Sequence, residues 1–72
     1  MDVYLNTEDV AAGSLTKTVT HNLNNVSAVV ARVLANWLTD ISVTGRTAND
    51  VTLAFNAQAP VGGGQIDIRI IA

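Results

Sequence analysis

Apolar and polar side chains alternate along residues 51–55 and again along 66–70. In the first stretch Val51, Leu53 and Phe55 are separated by Thr52 and Ala54; in the second Ile66, Ile68 and Ile70 are separated by Asp67 and Arg69. A period of two sends successive side chains to opposite faces of a strand, so each stretch reads as a strand with one apolar face. Between them, Pro60 lacks an N–H, and Gly62, Gly63 and Gly64 are costly to order. The simplest arrangement is an antiparallel hairpin that buries one apolar face and leaves the rest of the chain to cover it.

The remaining pattern is weaker. Val3-Tyr4-Leu5 is a short extended candidate, and Asn6-Thr7-Glu8-Asp9 carries turn and capping chemistry. Gly13-Ser14 reads as a turn, so residues 1–14 are expected to be an N-terminal arm or an edge strand, and 15–72 a single β domain. Leu15, Lys17 and Val19 alternate with Thr16, Thr18 and Thr20, which suits a half-exposed strand. His21, Asn22, Asn24 and Asn25 then mark a turn. Over 26–41 two readings compete. Val26, Val29, Val30, Val33, Leu34, Trp37, Leu38 and Ile41 recur at the three and four spacing of an amphipathic helix. Most of these residues are β-branched or aromatic, which favours strands over 27–34 and 38–44 with a turn at Ala35-Asn36-Trp37.

Composition narrows the class. The chain has 72 residues, no cysteine and one histidine, so neither a disulfide framework nor a thiolate metal site is available. Domains of this size have a thin stability margin and usually add a staple or a partner. Apolar residues make up 49% and charged residues only 14%, which points to association with copies or with another surface. Lys17, Arg32, Arg46 and Arg69 are scattered and the net charge is −2, so nucleic-acid binding is not expected. No apolar run is long enough for a membrane helix, and the N-terminus lacks a signal-peptide pattern.

Little here suggests catalysis. His21 has no serine elbow or orienting acid near it in sequence, and its expected role is to end a strand and bond backbone at a turn. Six acidic residues lie mostly among turn formers. The glycine triplet lacks the Lys-Ser/Thr of a phosphate loop. No cofactor and no metal are expected. One ligand-binding patch can be assembled on paper: Trp37 stacking on a sugar ring, with Asn36, Asp40 and Arg46 bonding its hydroxyls and Tyr4 as a further aromatic contact. The competing role for Trp37 is to plug the end of a small core or an interface.

From Lys17 onward, the order of features resembles a small β-sandwich module of bacteriophage fibre and virion proteins. Thr18-Val19-Thr20-His21-Asn22-Leu23 is similar to its opening strand and His-Asn-Leu turn. A Val-rich strand over 28–34, a strand over 40–44, Asn49 leading to Phe55, and a closing run from Gly64 follow in the same order. The resemblance implies an all-β fold, a small antiparallel sandwich or barrel, and tips 26–41 toward strands while leaving room for one short helix there. It implies a non-enzymatic structural protein of the virion, assembled in the host cytoplasm. With no fibre shaft ahead of it, the expected role is a capsid decoration or cement subunit. Its expected partners are its own copies, most simply as a trimer, and the major capsid protein or another virion protein. The alternative is a tail-fibre or tail-tip domain that binds host-surface glycan.

Overall fold

In the computed structural model, which describes residues 2–72, the chain folds into six strands and no helix. They are β1 (Val3–Val10), β2 (Thr16–Thr20), β3 (Val29–Leu34), β4 (Ile41–Arg46), β5 (Asp50–Phe55) and β6 (Gly64–Ile71). Two three-stranded antiparallel sheets result, in the orders β1-β6-β3 and β2-β5-β4. The all-β sandwich expected from sequence is the fold observed. Of the expected arm, residue 1 lies outside the described residues; the rest includes β1, an edge strand paired with β6 along its whole length.

The expected hairpin between 51–55 and 66–71 does not form. β5 and β6 belong to different sheets, and each is the central strand of its own. Their apolar faces are nevertheless the ones that the period of two predicts. Val51, Leu53 and Phe55 and Ile66, Ile68 and Ile70 are all buried in one core, with Val10, Val19, Ala28 and Ala59. A hairpin would turn both faces to the same side of one sheet and leave them needing a cover from elsewhere. Residues 56–63 instead arch from one sheet to the other, so the two faces cover each other. Gly62 and Gly63, at φ 90° and 91°, complete a turn in which the Gly63 N–H donates to the Pro60 carbonyl.

The register shows a simple plan. Residues 3–20 run antiparallel to 50–71 on one side, and 29–46 run antiparallel to it on the other. The molecule is a ribbon of three long strands folded double, with 50–71 in the middle. That position explains why the alternation is cleanest there: only the central strands are flanked on both edges and capped on the inner face.

The helix-like spacing over 26–41 also has an explanation. In β3 the register slips between Val30 and Arg32, so Val30 faces Ile70 and Val33 faces Ile68, although they are three residues apart. A bulge at Ala31 thus places an i, i+3 pair on one face of a strand. A second slip lies between Val43 and Gly45 in β4. The strands expected over 27–34 and 38–44 are found with shorter starts, at Val29 and Ile41, and β3 is an edge strand, with Val30 and Val33 packed on the core and Val29 and Leu34 exposed. The expectation of a turn at Asn6–Asp9 is also corrected, because β1 continues through it. Polar residues are tolerated there because this strand borders water.

Two asparagines flanking β5 hold the crossovers. Asn49 accepts the Asn24 N–H on its side-chain oxygen at 2.8 Å, and its carbonyl accepts from His21 at 2.8 Å. Asn56 Oδ1 accepts the N–H groups of Thr39 and Asp40, at 3.4 and 3.2 Å, and its Nδ2 donates to Thr39 Oγ1. Asn56→Ala removes these bonds at an otherwise exposed site. The expected loss is about 1–2 kcal/mol, read as a shifted urea midpoint with an unchanged slope.

Candidate functional site

The two outer faces differ sharply in chemistry. On the β2-β5-β4 sheet the aligned outward rows are Thr16, Ala54 and Ser42, then Thr18, Thr52 and Gly45. Three of its hydroxyls are partnered: Thr18 and Thr52 lie 3.2 Å apart, and Thr20 donates to Asp50 at 2.6 Å. This surface is small-grained and at home in water.

The outer face of the β1-β6-β3 sheet is graded along its length. Val3, Ile71 and Val29 stand side by side in one row, and Leu5, Arg69 and Arg32 form the next. Toward the arches come Thr7, Asp67 and Leu34, then Asp9 beside Gln65. Val3, Leu5, Val29 and Leu34 are 40%, 63%, 56% and 55% exposed. Single exposed aliphatics are ordinary, but a register-aligned row of them with Leu5 alongside is a patch. The acidic end is already bonded, with Thr7 Oγ1 donating to Asp67 at 2.7 Å and Gln65 Nε2 to Asp9 at 3.0 Å.

An open groove lies at the arch end of this face, bordered by Asp9, Asn36, Trp37, Gly64, Gln65 and Asp67. Trp37 is half-buried and meets Phe55 edge-on, with ring centroids 5.4 Å apart and planes at 79°. Its Nε1 donates to the Gln65 carbonyl at 3.3 Å. The indole lies so close to Gly64 that a Cβ there would sit 2.8 Å from Nε1. The ring is therefore a plug set between the core and the β6 backbone. Gly64→Ala must displace it, at an expected cost of about 1–3 kcal/mol. Tryptophan emission should shift to the red in the folded variant.

The five residues grouped from sequence do not form one site. Asn36, Trp37 and Asp40 belong to the arch between β3 and β4. Tyr4 lies opposite Ile70 and Arg46 opposite Val51, both toward the other end of the strands. The Arg46 guanidinium donates to the Ala28 carbonyl, and the Tyr4 hydroxyl accepts from Asn6 Nδ2 at 3.0 Å. His21 is only 4% exposed and its Nδ1 accepts the Leu23 N–H at 3.0 Å; its Nε2 is buried, with no partner among the described residues. Among those residues no three His, Asp or Glu side chains cluster as metal ligands. Sequence reasoning missed the Val3, Leu5, Val29, Ile71 patch. Its members are scattered through the chain, and only the sheet register aligns them.

Comparison of the chain with family models, curated proteins and solved structures finds no match.

Proposed function

We propose that the chain is a non-enzymatic structural subunit of a bacteriophage virion, a capsid decoration or cement protein that acts by covering and being covered. The observation that carries the reading is the aliphatic row Val3, Ile71 and Val29 on one outer face, with Val3, Val29 and the adjacent Leu5 exposed and Ile71 half-buried between them, while the opposite face is threonine-rich. Burying such a row gains about 25 cal/mol per Å² of apolar surface removed from water. A chain of 72 residues has few other means of adding stability. His21, the single imidazole, is sealed from solvent and engaged with backbone, so it offers no proton-transfer group to a bound substrate. The assignment to a virion rests on the order of sequence features from Lys17 onward. Location on the particle, with assembly in the host cytoplasm and the major capsid protein as partner, follows from that resemblance.

The test is co-sedimentation with capsids built from the major capsid protein encoded by the same genome. The wild-type chain should travel with the shells. The double variant Leu5→Asp with Val29→Asp should stay in the supernatant while unfolding within about 1 kcal/mol of wild type, since both sites are exposed. A wild-type chain that never binds shells would remove the reading.

The groove beside Trp37 favours a second reading, a tail-tip domain that holds a host glycan through Asn36, Asp9 and Gln65. The ring itself is already committed to Phe55 and Gly64. Titration with host polysaccharide should quench tryptophan emission under this reading and leave it unchanged under the first.

A further inference from the structure

Four strand edges border the two sheets, and three of them are guarded against pairing. β3 and β4 each carry a bulge, and β2 is five residues long with Lys17 in it. β1 is different: eight residues, an unbroken register with β6, no proline and no lysine. We infer that this edge is the surface through which the chain pairs with a second copy of itself, strand to strand and antiparallel about a two-fold axis at Asn6. The inference rests on the reading of the chain as an assembling subunit and names the contact that would begin the assembly.

The register follows from backbone geometry. The Ala72 N–H donates to the Asp2 carbonyl at 2.9 Å, so residues 2 and 72 form a hydrogen-bonded pair. With the ladder unbroken, Tyr4, Asn6, Glu8 and Val10 also turn their backbone groups toward β6. Val3, Leu5, Thr7 and Asp9 turn theirs to the open edge. Two copies related by a two-fold keep the same face outward, so these open residues must pair among themselves. Placing Val3 opposite Asp9 and Leu5 opposite Thr7 uses every one of them. Moving the axis to Leu5 or to Thr7 leaves Asp9 or Val3 without a strand partner.

The side chains agree with that register. Asn6 meets Asn6 of the second copy at a non-hydrogen-bonded pair, where cross-strand side chains come closest. Tyr4 meets Glu8, so the phenol can donate to the carboxylate. An inward charge guards an edge only where pairing would leave it unpartnered, and Glu8, which already accepts from Asn6 Nδ2 at 2.8 Å, would gain a donor here. β1 holds Glu8 and Asp9 and no base. A parallel pairing would align these acids with themselves, whereas the antiparallel one sets them at opposite ends. The product is one continuous sheet, β3-β6-β1-β1-β6-β3, with the aliphatic rows of both copies on the same outer face.

Cysteine scanning tests this directly, because the chain has no cysteine of its own. Single variants at Tyr4, Leu5, Asn6, Thr7 and Glu8 are oxidised under mild conditions at a concentration where wild type sediments as a dimer. Asn6→Cys should cross-link at least tenfold faster than the others, since only position 6 faces itself within disulfide reach. Leu5→Pro, whose N–H points to the open edge, should retain the wild-type circular dichroism and sediment as a monomer. Asn6→Lys, which sets two ammonium groups at the axis, should do the same if the proline variant fails to fold. An assembly that survives folded Leu5→Pro or Asn6→Lys, or that cross-links equally at all five positions, overturns the edge assignment while leaving the structural-subunit reading standing. A wild-type chain that is monomeric at every concentration yet binds capsids also overturns the edge alone; one that does neither overturns both.

Discussion

Leu53→Ala should cost about 2–5 kcal/mol of stability. Leu53 is fully buried at the middle of β5, and Lys17 and Val43 flank it in the neighbouring strands. Truncation loses its transfer energy and leaves a cavity, and a core with a strand on each side of the site cannot easily collapse into it. At about 0.05–0.15 kcal/mol per residue, a chain this short holds about 4–11 kcal/mol in all. The variant should therefore lose a large fraction of its total stability, measured as a lowered urea midpoint or melting temperature. Leu5→Ala, at a site 63% exposed, removes the same atoms and should change stability by less than about 0.5 kcal/mol.

Arg69→Pro should prevent folding, although Arg69 is exposed. Its backbone N–H points to β3, since the even-numbered residues of β6 are the ones that bond β1. Proline strands the facing carbonyl, a cost of about 1–3 kcal/mol, and removes a ladder hydrogen bond from a strand that is paired on both edges. Loss of the β-sheet circular dichroism band is the expected result. Leu5→Pro on β1 is the matched control, because its N–H has no partner within the chain.

How far the sequence discloses the fold depends on whether a feature is local. A period of two fixes which side chains share a face, and Val51, Leu53, Phe55, Ile66, Ile68 and Ile70 were all placed inward on that ground alone. It does not fix which strand lies alongside, because pairing depends on contacts far apart in the chain. That is why a hairpin was expected where an arch exists. The bulge at Ala31 sets Val30 and Val33 three apart on one face, which imitates a helix. Asn6 and Glu8 look like turn residues because an edge strand can turn polar groups inward and keep them wet. The same division applies to function. Trp37 was legible as a plug, since a small core has one tryptophan to place. Tyr4 and Arg46 could not be separated from Asn36 and Asp40 without the strand directions. The aliphatic row on the outer face arises from the register of three strands and has no signature in any one of them.

The division of residues 50–71 between two sheets covers the core and leaves an aliphatic patch and the β1 edge exposed. Backbone nuclear Overhauser effects in the isotope-labelled protein test it most directly. Contacts should run from Ile68 to Asn6 and Val33, and from Leu53 to Lys17 and Val43. Backbone contacts joining Leu53 to Ile68, as adjacent strands of one hairpin require, would contradict it.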